Sequence, residues 1–416
     1  MERADGRHEP TRPVWVVSEV FHPEETSTAH YMTGIAQALA KVFPVRVLCV
    51  QPTYSRRGVE APRHEVLDGV RILRCRSTTL DKNKLLLRLV NVLTITASIG
   101  LEALLRMRRG DVALVVTNPP VLPTVIQIVC LLRGAHCVVR IDDIYSEMMV
   151  ASGLLRAESR KYRFMARCSR WLYRRAARIV VLGHDMKEFV SKRAEVSGES
   201  VRVIPNWSDC DDVKPAPRED NTLLRECGLL GKFVVQCAGN LGRVQAIESL
   251  VEAASQLRAH KHIHFLLIGG GTKKAWVEEQ RMVRDLRNVT LLAPRPREQQ
   301  NVFLNACDIG TTALVPGMWG AAVPSRLYNI MAAGKPVLVV GDRDSEAAAV
   351  VAGDKLGWVV PPERPDQIAL AIVEASKDPS LLHEMGQRAR KVAETRYRAE
   401  IVTQAYVDLI SELIGP

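Results

Sequence analysis

Apolar strands and amphipathic helices alternate along this chain in two long runs, a pattern that few architectures accept. In the first run VWVVS (14–18), VRVLCV (45–50), VRILRC (70–75), ALVVT (113–117), CVVRI (137–141), RIVVL (178–182) and VRVIP (201–205) read as strands. Helices are expected over Thr28–Val42, 84–108, 121–132, 159–177 and 184–195. Strands that are apolar at nearly every position are covered on both faces, which marks a parallel sheet flanked by helices. At Asn206 the alternation stops: NWSDCDDVKPAPRED is acidic, Pro-bearing and aperiodic, as linkers are. It restarts with strands in KFVVQCAG (232–239), HFLLIGGG (264–271), VTLLA (289–293), DIGTTAL (308–314), Pro336–Val340 and GWVVPPERP (357–365). Helices are expected at 245–259, 273–286 and 297–306, with three more at 366–376, 379–394 and 398–413 closing the chain. The expected fold is therefore α/β, with two doubly wound Rossmann-like domains facing a central cleft. Residues 1–205 form the first domain, 206–225 the linker and 226–395 the second domain. A helix in 396–416 is placed to pack back on the first domain. Open parallel sheets bind ligands outside the carboxyl ends of their strands, so the cleft is where two substrates would meet.

With 416 residues, 47% of them apolar, the chain is long enough for two cores. Its net charge of +11 directs it to anionic partners. Aromatic residues make up only 5% and no helix-turn-helix motif is present, so no nucleic-acid partner is expected. The nine cysteines are scattered, without a C-x-x-C pair, as buried thiols of a reducing compartment are. No metal site is expected. Residues 1–13 lack the apolar core of a secretory signal, which favours a cytoplasmic protein. Residues 85–105, LLLRLVNVLTITASIGLEALL, are long enough to span a bilayer but contain Arg88, Asn91 and Glu102. A charge at mid-membrane costs about 2.5–3.5 kcal/mol, so this helix is expected to be buried or to lie on a membrane surface. In 159–177, Arg160, Arg163, Arg167, Arg170 and Arg174 form one stripe, opposite Met165, Cys168, Leu172 and Ala176. Such a face suits an anionic membrane surface, at about 1 kcal/mol per charge; the alternative is an ordinary solvated face.

Three segments carry candidate chemistry. In Leu314–Val340 a Gly-rich loop leads into a short helix opening at Pro324–Ser325, stopped by Gly334. Arg326 in the first turn opposes the helix dipole, and a bound anion would account for it; a plain surface Arg is the alternative. GNLGRVQ (239–245) is a strand-to-helix turn in which Gly239, Gly242 and Arg243 could bring N–H groups and a cation to a phosphate. It is neither a dinucleotide fingerprint nor a kinase-type phosphate loop. The glycines of IGGGT (268–272) read better as tight packing turns. Asp142 and Asp143 end a buried strand, where carboxylates serve as acid, base or hydroxyl ligand, or cap the next helix. His184–Asp185 reads mainly as a helix start.

The order of these motifs resembles the family 4 glycosyltransferases, of GT-B fold, over nearly the whole chain. The carrying residues are EVFHPEETSTA (19–29), VTNPPVLPT (116–124), IDDIYSEMMVASGLL (141–155), VIPNWSD (203–209), GNLGRVQ (239–245), LLIGGGTKK (266–274) and PSRLYNIMAAGKPVLVV (324–340). The last run is similar to the branch acting in bacterial capsule, exopolysaccharide and lipopolysaccharide O-antigen assembly. The resemblance implies a retaining, metal-independent hexosyl- or N-acetylhexosaminyl-transferase without a cofactor. A nucleotide-sugar, most often a UDP-sugar, would bind mainly to the second domain, and a polyprenyl-diphosphate-linked saccharide acceptor to the first. The enzyme would work at the inner face of the plasma membrane. Site residues implied are Asp142 and Asp143 for catalysis, with Gly239, Gly242, Arg243, Ser325, Arg326 and Asn329 for the donor and Arg295 in the loop near its base. The family's paired glutamates, eight positions apart, fall on Ala321 and Asn329, and its Arg and Lys of the first glycine turn on Asn240 and Gln245. Two other readings stay open at this level: a GT-B-fold nucleotide-sugar epimerase, and a non-catalytic protein binding anionic lipid or nucleic acid.

Overall fold

The computed structural model describes residues 12–54, 58–80 and 85–415. Most of the polar leader read above, and the first residue of the helix expected over 84–108, lie outside that range. The first half runs β1 (Val14–Val17), α1 (Ser27–Ala40), β2 (Val45–Val50), β3 (His64–Leu67), β4 (Val70–Cys75), α2 (Leu85–Arg106), β5 (Val112–Val116) and α3 (Leu122–Arg133). It continues with β6 (His136–Ile141), α4 (Tyr145–Ala151), α5 (Arg160–Arg175), β7 (Arg178–Val181), α6 (His184–Ala194) and β8 (Val201–Val203). The eight strands form one sheet in the order β3-β4-β2-β1-β5-β6-β7-β8. All pairs are parallel except β3–β4. That edge hairpin turns on Asp68–Gly69, both at positive φ. The Asp-Gly dipeptide is the hairpin signal in the sequence, and it corrects the expectation of a purely parallel first sheet. Helices α2, α3, α5 and α6 cover one face of the sheet, while α1 covers the other.

The second half comprises α7 (Thr222–Glu226), β9 (Phe233–Ala238), α8 (Ile247–Gln256), β10 (Ile263–Ile268), α9 (Lys274–Val283), β11 (Val289–Leu292), α10 (Gln300–Leu304) and β12 (Ile309–Ala313). Then come α11 (Arg326–Ala332), β13 (Val337–Val340), α12 (Glu346–Gly353), β14 (Gly357–Val360), α13 (Pro365–Ala375), α14 (Pro379–Arg396) and α15 (Ala399–Ile414). The six-stranded parallel sheet has the order β11-β10-β9-β12-β13-β14. Its order reverses between β9 and β12, which pair only at Ile309–Val235 and Gly310–Gln236 before diverging. A crevice therefore opens at their carboxyl ends, the switch point at which doubly wound sheets hold ligands.

The segment after β8 is not a loose tether, although its composition reads as one. Asn206, Trp207, Ser208, Asp209, Cys210 and Val213 are buried. Trp207 packs so tightly beneath α1 that a Cβ at Gly34 would stand 2.7 Å from its ring. The Asp209 carboxylate accepts from Trp207 Nε1 at 3.0 Å, lies 3.0 Å from His30 Nε2 and is ion-paired to Arg297 of the second half. Burial alone would raise the pKa of Asp209, but its bonds to His30 and the charge of Arg297 hold it below the ordinary range.

Helix α15 returns to pack on α1 and completes that layer. Arg140 of β6, fully buried, ties it there. Its Nε donates to Asp142 at 2.6 Å, its Nη2 to Asn206 Oδ1 at 2.7 Å and its Nη1 to the Tyr406 hydroxyl on α15. Burial opposes this charge, and Asp142 and Tyr406 outweigh it, so the guanidinium stays protonated. Tyr406→Phe is expected to cost about 1–3 kcal/mol, since it leaves one buried guanidinium N–H without a partner. Urea unfolding measures this; an unchanged midpoint would show that the bond contributes nothing net.

Candidate active site

The cleft cavity, about 380 Å³, lies at the second sheet's switch point, with Ser27 and Asp143 of the first half facing it. From the second half it is lined by Gly239 and Asn240 after β9, Leu314, Met318 and Ala322 after β12, and Pro324, Ser325, Arg326 and Asn329 around the start of α11. A smaller cavity of about 230 Å³ shares Ser27 and continues into the first domain, between Glu19, Tyr54, Arg88, Asn118 and Tyr145.

Each wall is locally determined. The turns after β9 and β10 touch backbone to backbone: Gly239 N–H donates to the Ile268 carbonyl and Leu241 N–H to that of Gly270, both at 2.8 Å. A Cβ at Gly269 would stand 1.8 Å from the Gly239 carbonyl oxygen. The IGGGT glycines therefore serve close packing. The Gly-rich loop 316–322 is pinned by carboxylates at both ends. Asp342 accepts from the N–H groups of Gly317 and Trp319 at 3.3 and 2.9 Å, and Asp185 from that of Gly320 at 3.2 Å. Asp185 also accepts from Glu346 N–H across the domain gap at 3.1 Å, and burial raises its pKa despite these bonds. His184 is largely exposed and meets Glu346 on the same gap, so it stands apart from the cleft. The loop is drawn onto the first domain, where Ile144 N–H donates to the Ala321 carbonyl at 2.8 Å.

Asp142 and Asp143 have opposite environments. Asp142 is engaged by Arg140, by the Thr28 hydroxyl at 3.4 Å and, through its own N–H, by the Thr117 hydroxyl at 3.2 Å. Neither aspartate caps α4, whose N-cap is Ile144. Asp143 lines the cavity, and its carboxyl has no protein hydrogen-bond partner among the described residues. Burial first, and the charge of Asp142 second, push it up to about 7. A carboxyl poised there exchanges a proton readily at neutral pH.

Arg326 does more than mark a helix end. Its Nη2 donates to the Asn240 carbonyl at 3.1 Å and its Nη1 contacts Cys237 Sγ at 3.0 Å, so its guanidinium lies under the first glycine turn. In α11 the N–H groups of Leu327 and Tyr328 turn back to Pro324 and Ser325. The N–H groups of Ser325 and Arg326 and the Ser325 hydroxyl, which makes no capping bond, have no partner among the described residues. Asn329 lines the same cavity with a buried, unpartnered Oδ1. Ala321, by contrast, is fully buried in an apolar cluster with Leu314 and Met318.

The structure thus brings together Asp143, Gly239, Ser325, Arg326 and Asn329 and leaves other candidates outside. Arg243 is exposed and does not line the cavity, and Gly242 is absent from the lining as well. Arg295 lines a separate cavity with Thr222, Glu226 and Gln299. Asp142 supports Arg140 rather than facing open solvent. Ser27 and Gln300 line the cleft without having been singled out; Thr26 capping α1 at Ala29 N–H is the signal that places Ser27. Among the described residues no three His, Cys, Asp or Glu side chains converge to hold a metal ion.

Two doubly wound domains closing on a cleft at their strand ends define the GT-B architecture of sugar-transferring enzymes. Residues 27–207 match the model of the glycosyl transferase 4-like domain, and residues 227–392 that of glycosyl transferases group 1. The chain is 28% identical to a probable glycosyltransferase, WbjE of Pseudomonas aeruginosa, over 97% of its length and 98% of the relative's. It is 24% identical to a putative colanic acid biosynthesis glycosyl transferase, WcaI of Escherichia coli K12, over 93% and 97% of the two chains. Anabaena HepE, solved in complex with UDP, superposes with a TM-score of 0.71 at 16% identity, covering 96% of this chain and 100% of that one. The protein belongs to the family 4 glycosyltransferases.

Proposed function

We propose that the protein transfers a sugar, with retention of configuration and without a metal, from a UDP-sugar to a hydroxyl of a polyprenyl-diphosphate-linked saccharide. The reaction would serve surface-polysaccharide assembly at the inner face of the plasma membrane. The observation that carries the reading is that one cavity is lined both by the Asp143 carboxyl and by the Ser325 and Arg326 N–H groups, none of which has a protein partner among the described residues, with the Arg326 guanidinium beside them. As the bond from sugar C1 to phosphate oxygen breaks, its electron pair moves to the diphosphate. Arg326 and the two N–H groups stabilise that developing charge. The acceptor hydroxyl, entering from the cavity shared at Ser27, bonds to C1 on the same face from which the diphosphate departs, as retention requires, and gives its proton to Asp143. Asn329 Oδ1 is available to a donor hydroxyl such as that of the ribose. The UDP held by HepE and the role named for WcaI support the donor and the pathway.

Thermal shift with UDP, GDP and ADP tests this. A ligand at 100 times its Kd stabilises by about 2.7 kcal/mol, and UDP is expected to raise the melting temperature most. If none of the three did, the donor reading would fail. Sugar and acceptor specificity then follow from a donor panel scored by nucleotide release with polyprenyl-linked acceptors.

A further inference from the structure

Helix α2 meets the core with one side only. Asn91, Ile95, Thr96, Ile99 and Ala103 are buried against β2, β4 and α3. The opposite side, at three- and four-residue spacing, exposes Leu86, Leu89, Val90, Leu93, Leu101 and Leu105, with Leu86 77% exposed. Length and composition alone would let this helix cross a membrane. Its inner side, however, is part of the sheet's cover, so the helix lies along the domain. Next to it α3 exposes Ile128, Leu131 and Leu132, and next to α3 lies α5. On α5 the exposed Phe164 stands among Arg160, Arg163 and Arg167, none of which has an ion pair among the described residues. Arg170 and Arg174 instead bind carbonyls at the end of α6. Because α2, α3 and α5 share one layer on one sheet face, their outer sides form one surface: leucines and isoleucine on two helices, bordered by unpaired guanidinium groups on the third.

We infer that this face docks on an anionic phospholipid bilayer, the α2–α3 leucines entering the acyl boundary and the α5 arginines meeting lipid phosphates. An apolar face of this size on a protein surface marks a binding surface. The cations at its border select the occupant. A second copy of the chain would bring arginine to arginine around the contact, whereas an anionic bilayer supplies the opposite charge and takes up the apolar side chains. The inference names the surface for the peripheral attachment proposed above and rests on that reading for its purpose. Its test does not use activity. The cavity holding Arg88 opens at the start of the same helix, so docking would bring a lipid-linked acceptor to the first domain's pocket.

The test is co-sedimentation of the full chain with vesicles of phosphatidylcholine alone and of phosphatidylcholine mixed with phosphatidylglycerol. Wild type is expected to bind the mixed vesicles, more weakly at high salt. Leu93→Asp with Leu132→Asp, and separately Arg163→Glu with Arg167→Glu, should each lower partitioning by about tenfold or more. All changed positions are exposed, and retained melting temperature and UDP shift would show the variants folded with the donor site intact. Wild type indifferent to both vesicle types would overturn the inference. So would a wild-type dimer that the leucine changes dissociate, since the face would then join copies. Resistance of bound protein to alkaline carbonate extraction would also overturn it, because α2 would then insert rather than lie on the surface.

Discussion

Asp143→Asn is expected to lower turnover by about 10³-fold while making the folded protein more stable above neutral pH. Removing a positioned general base commonly costs 10²–10⁴-fold. Asn keeps the shape of the side chain, so KM should change little. In the wild type the carboxyl is raised to about 7 by burial and by Asp142. Turnover should therefore fall about tenfold per pH unit below that value, and the residual activity of the Asn variant should be flat there. Stability moves the other way. The unfolded carboxyl titrates near 3.9, so between about 4 and 7 the folded protein holds a proton that the unfolded chain releases. Stability is lost as pH rises through that window, and the deficit is complete above about 7. A shift of this size is worth about 4 kcal/mol in a dry site, and water in the cleft reduces it to about 2 kcal/mol. The Asn variant escapes this deficit: its melting temperature should match wild type near pH 4 and exceed it at pH 8. A variant that keeps wild-type turnover removes Asp143 from the chemistry. One that loses turnover without the stability gain at pH 8 leaves the raised pKa without support.

The architecture was legible because periodicity reports burial. Continuous apolar strands such as Val112–Val116 need cover on both faces, and the helices between them carry one apolar side each. Elements missed were those whose cause is tertiary or local chemistry. Strand β3 has half-exposed HEVL and is announced only by its Asp-Gly turn. Helix α12 begins at Ser345, which caps Ala348 N–H, and its nearly continuous Ala/Val run has no polar face to read. The segment after β8 looks like a linker because Asp209 and Asn206 are polar. Partners 66 and 88 residues away, Arg140 and Arg297, allow them to be buried.

At the site, one-dimensional spacing found the turns but not the direction of side chains. Gly239 and Arg326 both proved to line the cleft, yet nothing in GNLGRVQ indicates that Arg243 points away and Arg326 reaches back beneath that turn. The two adjacent aspartates look equivalent in VVRIDDIYS. They diverge because successive residues near a strand end face opposite sides while residues two apart share one: Asp142 meets Arg140, two residues before it, and Asp143 meets the cavity. Sequence comparison placed both Ala321 and Asn329 where the family carries glutamates and kept only Asn329 as a donor-binding candidate. In the structure Ala321 belongs to an apolar cluster, while Asn329 keeps an open acceptor on the cavity wall.

Arg326→Ala is expected to weaken UDP binding by about 10- to 100-fold, since a hydrogen bond to a charged group is worth about 1.5–3 kcal/mol. Sugar transfer should fall further, by 10²–10³-fold, because the diphosphate gains charge as the sugar leaves and the guanidinium is already in place. Arg326→Lys should recover little: a point charge on a flexible stem cannot hold the Asn240 carbonyl and a phosphate oxygen in one plane. Arg243→Ala is the comparison. It removes the same charge from the same domain but from an exposed position outside the cavity, so UDP affinity should change by less than about threefold, as exposed charges generally contribute little. The Arg326 change also removes support for the glycine turn, and a turn that collapsed would weaken UDP without any phosphate contact. Uridine separates the two causes, since it carries the base and ribose but no diphosphate. If Arg326 holds the diphosphate, the variant should lose affinity for UDP and keep its affinity for uridine. Equal losses for both would assign Arg326 to the turn, and unchanged UDP affinity would remove it from the donor site.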